Sequence, residues 1–318
     1  MQKMTHRITH ELALLRRTSR KKCSICKQEF VEGDTSHSGY DSAGNAVFVG
    51  DCCVDTLVET AIRNYVSTPE FEEPSRDAKL WRYFDLAKLL FMLQEKVLYF
   101  SRSDTLGDPF EGAKGVLDRK PEWDEYYLKF FRHIHRIPPA AELALSDEEI
   151  EVRAQKLLTS LEAGGRADLQ RVFISCWHES DYESAALWQL YGQRYDRALA
   201  VQTTVGELQD ALFFDESISV GRVKYIDYSQ SYASVNGAFF SKRRAFEYER
   251  EVRAVLRHSA KNALTGICRP IDPNAMIQAI YVSPVTPLWF EELVAKMAKA
   301  LGYSGKVFRS QLDELPFH

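Results

Sequence analysis

Four cysteines in two tight pairs constrain the front of this chain more than any other feature. Cys23 and Cys26 stand in "KKCSICKQEF" as C-x-x-C, and Cys52 and Cys53 stand adjacent in "VFVGDCCVDTL". The stretch between them, "VEGDTSHSGYDSAGNAVFV", is rich in turn residues and reads as a β-hairpin. The stretch "CCVDTLVETAIRNYV" reads as a helix. Four thiolates so placed can hold Zn²⁺ tetrahedrally, and the metal then stands in for a core too small to fold alone. The adjacent second pair leaves an alternative in which one of Cys52 and Cys53 is a bystander and His37 is the fourth ligand. A closed site of this kind is structural, because no position is left for a reacting water.

The rest of the chain is long enough to bury a sizeable core. It has 318 residues, 45% of them hydrophobic and 12% aromatic. A net charge of −4 gives no overall pull toward nucleic acid or anionic membrane. One local exception is "RRTSRKK" at Arg16–Lys22, five positive charges in seven residues, expected as a solvated arm. No apolar run reaches the ~20 residues needed to cross a bilayer, and no apolar signal segment opens the chain. The expectation is a soluble, cytoplasmic protein with no membrane partner. "STPEFEEPSRDAK" is polar, carries two prolines and reads as a linker. The expected organisation is an arm at 1–17, a zinc-binding cysteine module at 18–66, a linker at 67–79 and a main domain at 80–318.

Within the main domain, "LWRYF", "VLYFSR", "RVFISCW", "RALAVQTT", "VGRVKYIDY", "EREVRAVL", "IQAIYVSP" and "GKVFRS" read as strands. "LAKLLFMLQEK", "ESAALWQLYG" and "PLWFEELVAKMAKALG" read as helices, and residues 122–165 as two or three more. The order shows no regular βαβ repeat. It predicts an α+β fold with a mixed or antiparallel sheet and surrounding helices, beside the small cysteine module.

The chemistry concentrates in "FSKRRAFEYEREVRAV", residues 240–255. Its tail favours a strand, so a helix ending near Tyr248 should give way to one. Alternation then puts Glu249, Glu251 and Arg253 on one face. Two like carboxylates so placed raise each other's pKa unless a cation or a substrate hydroxyl answers them. Arg253 is one candidate for that cation, in which case the row is a structural ion pair. Asp108 and Glu111 stand in "SRSDTLGDPFEG", where Asp108-Pro109 beside a glycine signals a turn of ordinary loop composition, and Cys176, His178 and Glu179 in "ISCWHES" sit at a strand end, where site residues often lie. Trp188 and Tyr191 are packing residues or a platform for a planar ligand.

Several blocks together resemble the bacterial domain of unknown function 2971 family. They are "LWRYF" (Leu80–Phe84), "LYFSRSDTLGDPFEG" (Leu98–Gly112), "ISCWHES" (Ile174–Ser180), "LWQLYG" (Leu187–Gly192), "VKYIDY" (Val223–Tyr228) and "KRRAFEYEREVR" (Lys242–Arg253). The resemblance covers residues 78–310 in order. Gly107 replaces the family's usual asparagine, Trp177 its phenylalanine, and Phe246 its tryptophan. The cysteine module lies outside it and is similar to a treble clef or zinc ribbon. The layout also looks like that of ADP-ribosyltransferases. That likeness implies NAD⁺ as substrate, for ADP-ribosyl transfer or for hydrolysis, with Arg82 or Tyr83 holding it, Ser101 on a second strand, and Trp188 and Tyr191 nearby. It implies Glu251 as the catalytic carboxylate that binds the ribose, and Glu249 as its acceptor-side partner. The zinc module and basic arm would choose a macromolecular target, nucleic acid or protein, for a toxin or defence effector.

Two other classes fit the same residues. A metal-dependent nuclease would use Asp108, Glu111, Glu249 and Glu251 to hold Mg²⁺, with Lys242 near the scissile phosphate. A non-enzymatic regulatory or antitoxin protein would use the charged rows only as salt bridges.

Overall fold

The computed structural model describes residues 4–7, 22–29, 35–40, 46–56, 64–65, 71–136, 145–191, 197–212, 215, 217–235, 237–258 and 264–317. Nearly all of the basic run at 16–22 and the first part of the expected linker fall outside these residues, as does Gly192. The chain divides into two compact units. One is Met1–Pro69 with Asp124–Leu158, and the other is Glu70–Trp123 with Thr159–His318.

In the first unit, β1 (Met4–Arg7), β2 (Thr35–Tyr40), β3 (Ala46–Gly50) and β4 (Asn64–Tyr65) form a sheet in the order β3-β2-β1-β4. The expected hairpin is the antiparallel β2–β3 pair. Met4–Arg7, within the expected arm at 1–17, pairs antiparallel with β2. The helix expected from Cys52 begins as a 3₁₀ turn at Asp51–Thr56, broken at Cys53 (φ −133°, ψ 15°). Its continuation at 57–63 lies outside the described residues. In the 122–165 region two helices are described, Lys120–Ile134 and Asp147–Asp168. Within the first unit Arg132 joins them by pairing with Glu151 at 2.7 Å.

The second unit is built on a nine-stranded mixed sheet, which matches the expected fold class. Its strands are β5 (Lys79–Asp85), β6 (Val97–Arg102), β7 (Val172–Glu179), β8 (Ala198–Thr204), β9 (Ile218–Arg222), β12 (Glu251–Arg257), β13 (Gly266–Pro270), β14 (Ala279–Val282) and β15 (Lys306–Arg309). The order is β13-β6-β7-β5-β8-β14-β15, with β12 on β7 and β9 on β12. The β14–β15 pair is parallel and the other pairs of this sheet are antiparallel. "VGRVKYIDY" makes two strands rather than one. After Arg222 the Val223 N–H donates to the Glu251 carbonyl at 2.8 Å, and β10 (Lys224–Ile226) leaves to pair with β11 (Ser241–Arg243). The second half of the expected linker belongs to this unit. Phe71 stacks on Phe240 with ring centroids 4.1 Å apart, and Glu72 pairs with Arg222.

Alternation decides which residues enter the core. Leu80 and Phe84 of β5, Leu98 and Phe100 of β6, and Phe173 and Trp177 of β7 point to one face. That face is covered by Leu86–Glu95 and Leu288–Ala300, helices that bury Leu89, Met92 and Leu93, and Phe290, Val294 and Ala298. The first helix starts where it does because Asp85 accepts from the Lys88 N–H at 2.9 Å. It stops where Lys96 turns left-handed.

One edge of β7 is shared by two strands, and this opens the site. Ser101 and Arg102 of β6 pair with Ile174 and Phe173, while Leu80 and Trp81 of β5 pair with Glu179 and His178. Ser175, Cys176 and Trp177 lie between the two registers. The other edge of β7 pairs with β12 along its length, so Glu251 stands opposite His178 and Arg253 opposite Cys176.

Candidate functional site

On the far face of this divided sheet lies a cavity of about 240 Å³. Trp81, Tyr83, Ser101, Cys176, His178 and Tyr191 line it, together with the carboxylates and cations of the 240–255 stretch. Alternation explains the gathering. Trp81 pairs with His178, His178 with Glu251, and Cys176 with Arg253, and directly opposed residues share a face.

Arg253 is the centre of the charged cluster and is fully buried. Its Nε donates to Glu251 Oε1 at 2.8 Å and its Nη2 to Glu251 Oε2 at 3.1 Å. Nη1 and Nη2 each donate to Glu111 at 2.7 Å, and Nη1 also to the Phe239 carbonyl at 2.7 Å. All five guanidinium hydrogens are thereby used. Arg253 is therefore a residue that positions Glu251, not one with a donor to spare for a ligand. Lys242 Nζ donates to Glu249 and, at 3.2 Å, to Glu251 Oε2. Glu111, Glu249 and Glu251 thus face Arg253 and Lys242, and Arg82 adds a third cation to the cavity lining.

Glu111 reaches Arg253 because its loop is tightly turned. Asp108 Oδ1 accepts from the Phe110 N–H at 3.1 Å and from Arg243 Nη2 at 2.7 Å. Gly112 has φ +71°, and a Cβ there would meet Phe239 at 2.6 Å, so only glycine fits.

Glu249 arrives differently from the sequence expectation. It does not share a strand face with Glu251. It ends a 3₁₀ turn, Arg244–Glu249, and β12 begins two residues later after Arg250, which is left-handed at φ 40°. This turn carries the Glu249 side chain to Lys242 and to Tyr191, whose hydroxyl donates to Glu249 Oε1 at 2.6 Å. The two carboxylates meet through a shared lysine rather than through strand alternation.

The protonation states follow from these contacts. Burial would raise the Glu251 carboxyl, but Arg253 and Lys242 outweigh it and hold the pKa at about 2. Burial would lower Lys242, and Glu251 and Glu249 instead raise it. Burial raises the Tyr191 phenol, and its bond to Glu249 adds to that. Burial also raises the Cys176 thiol well above its usual value, reinforced by the Glu251 charge, so it is a protonated donor. His178 is lowered by burial, partly offset by its contact at 2.6 Å with the Glu249 carbonyl. A carbonyl only accepts, so Nδ1 carries the hydrogen and Nε2 is a neutral acceptor near pH 7.

The sequence-proposed NAD⁺-holding residues divide. Tyr83 lines the cavity and its hydroxyl accepts from the Ser184 N–H at 2.8 Å. Ser101 also lines it, on β6 rather than on the strand that joins Tyr83 to Glu251, which is β7. Tyr191 is 45% exposed at the rim. Arg82 lines the cavity too, and its guanidinium donates to Ser175 Oγ at 2.8 Å and lies 5.7 Å from the Trp177 ring. One expectation needs correction. Trp188 is fully buried, edge-on to Tyr83 at 5.0 Å, and donates to Glu183. It supports Tyr83 and offers no platform.

The carboxylates do not form a divalent-metal site. Asp108 already accepts from Arg243, Glu111 from Arg253, Glu249 from Lys242, and Glu251 from both cations of the cluster. Among the described residues, only Cys23, Cys26, Cys52 and Cys53 bring three or more metal-ligating side chains together, all ligand atoms within 4.8 Å. Tetrahedral Zn–S bonds put sulfurs about 3.8 Å apart, and Cys26 and Cys52 lie 3.4 Å apart. Both adjacent cysteines face the cluster, because the 3₁₀ turn breaks at Cys53. His37 instead contacts Asp51 at 2.7 Å. Burial would raise the Cys23 thiol, yet backbone N–H groups of Gly50, Cys26 and Ile25 bring it down to about 6, ready to ligate as thiolate.

No protein-family model matches the chain, and no curated protein matches it. Among solved structures it is similar to Thermus sp. 2.9 DarT. The complex with carba-NAD⁺ is 11% identical, with a TM-score of 0.33, over 76% of this chain and 100% of that one. The complex with ADP-ribosylated ssDNA is 10% identical, with a TM-score of 0.34, over 77% of this chain and 99% of that one. Similarity of this size does not by itself establish a shared fold or activity.

Proposed function

We propose that the second unit cleaves the glycosidic bond of NAD⁺ and transfers ADP-ribose to a macromolecular acceptor. The observation that carries this reading is the buried cluster at Glu251. A carboxylate with a pKa of about 2 stands at the wall of a cavity, kept ionised and fixed in place by Arg253 and Lys242. Such a site is complementary to a positive charge that develops in the cavity. Cleavage of the ribosyl C1′–N bond of NAD⁺ develops that charge. The bonding pair leaves with nicotinamide, which departs neutral, and the ribosyl group becomes cationic.

In this reading Glu251 accepts a hydrogen bond from a ribose hydroxyl, displacing the Cys176 thiol, a weaker donor. Tyr83 and Trp81 flank the nicotinamide side. Glu249, on the opposite side of Lys242, takes the proton of the acceptor as its nucleophile bonds to C1′. Arg253 and Glu111 hold Glu251 in place. About 240 Å³ is below the roughly 300–1,000 Å³ usual for a whole ligand, so the cavity takes the reacting half of the dinucleotide. The resemblance to the domain of unknown function 2971 family points to the same residues.

The four-cysteine cluster is assigned to zinc. Four thiols and no oxygen ligand suit that metal, and a closed set of four gives it a structural role in the first unit. The test of transfer is incubation of the full chain with NAD⁺ labelled in the adenylate phosphate, offered single-stranded DNA, RNA and protein separately. Label fixed to one acceptor class supports the reading. Absence of both fixed label and free ADP-ribose rejects it.

A further inference from the structure

A second cavity, of about 390 Å³, lies behind the loop that carries Glu111, and it is larger than the one at Glu251. All of its lining comes from the second unit. Gly112, Val116, Trp123, Leu161, Leu169 and Tyr232 give it a largely apolar wall. Its charges are uneven. Lys114, Lys120 and Arg166 line it, against Glu111 and Glu162. Glu111 is already neutralised by Arg253, and Glu162 pairs with Lys120 at 2.5 Å. The lining thus sets three cations against two carboxylates, one of which is already held by Arg253.

Glu111 lines both cavities. It is buried, and its carboxylate grips both terminal nitrogens of Arg253, which in turn hold Glu251. A single loop thus forms one wall of each cavity. We infer that the larger cavity is a second ligand site, for a small molecule with an apolar ring or chain and an anionic group. Glu111 passes its occupancy to Glu251. This last step rests on the proposed reaction; the site itself does not.

The glycines of the Asp147–Asp168 helix supply the test. Gly165 lines the cavity, and a Cβ there would meet only Lys114 Cε at 3.9 Å, so a larger side chain enters the cavity without a clash. Gly164 is its control: exposed, with nothing within 4 Å of an added Cβ, and outside the cavity lining. The probe is 1-anilinonaphthalene-8-sulfonate, titrated by fluorescence into the full chain, with the thermal midpoint of each variant recorded. The expected result is saturable binding to wild type and to Gly164→Leu, weakened at least tenfold in Gly165→Leu. The uncharged parent 1-anilinonaphthalene should bind at least tenfold more weakly than the sulfonate. Equal sulfonate binding by the two leucine variants, or none by wild type, overturns the site. Equal binding of charged and uncharged probes overturns its anionic preference. The sulfonate should also change nicotinamide release by wild type and not by Gly165→Leu. Unchanged release in wild type overturns the role of Glu111. A protein that releases no nicotinamide at all refutes the proposed reaction instead, and dye binding still decides the site.

Discussion

Arg253 grips Glu251 through two nitrogens, at 2.8 and 3.1 Å, and spends its remaining donors on Glu111 and the Phe239 carbonyl. The guanidinium is thus a fixed brace, and the carboxylate it braces forms part of a cavity wall. The consequences for stability and for chemistry separate cleanly.

Removing the brace should be costly. Arg253→Met leaves Glu111 and Glu251 buried without their shared cation, a loss of about 3–5 kcal/mol. Urea unfolding should show it as a lower midpoint. Glu111→Gln removes one of the two stranded charges, so the double variant should fall short of the summed losses by more than about 0.5 kcal/mol. Simple additivity would show that the two side chains do not act as a unit.

Acid should weaken the fold through Glu251. Its folded pKa of about 2 lies below the 4.5 of an ordinary glutamate, so its contribution is complete above pH 4.5. That contribution is lost as the pH falls from there through about 2. Glu251→Gln should flatten the dependence of unfolding free energy on pH across this window. A variant that keeps the full wild-type slope would place the titration elsewhere.

The zinc assignment predicts one metal per chain, released as the pH falls and the thiolates protonate. Cys23→Ser or Cys52→Ser should abolish stoichiometric zinc by elemental analysis, while His37→Ala keeps it. Loss of zinc in His37→Ala with retention in Cys52→Ser would restore the alternative ligand set.

The sequence displayed some of this plainly and hid the rest for identifiable reasons. The β-branched tail after Glu251 marked β12, and the apolar run before Trp177 marked β7, because burial leaves a local signature. Alternation also accounts for the contact of Arg82 with Ser175, since it stands between Leu80 and Phe84, and Arg82 still lines the cavity. Glu249 lies beside the cluster through a 3₁₀ turn, not through the strand alternation that the sequence suggests. Its position depends on a left-handed Arg250, a residue type that announces no such turn. The Glu111–Arg253 pair joins residues 142 apart, and periodicity says nothing across that distance. The edge strand Gly266–Pro270 went unread because it is short and bounded by glycine and proline.

The central claim is that Glu251 stabilises a charge present only in the transition state. The most direct measurement pairs nicotinamide release with NAD⁺ binding, for wild type and Glu251→Gln at the same pH. Two cations then face Glu111 and Glu249, so the variant should remain folded. The account predicts binding within a few-fold of wild type and release slowed on the order of 10²–10³-fold, as for the loss of one preorganised electrostatic partner. Release by the folded variant at the wild-type rate would contradict it.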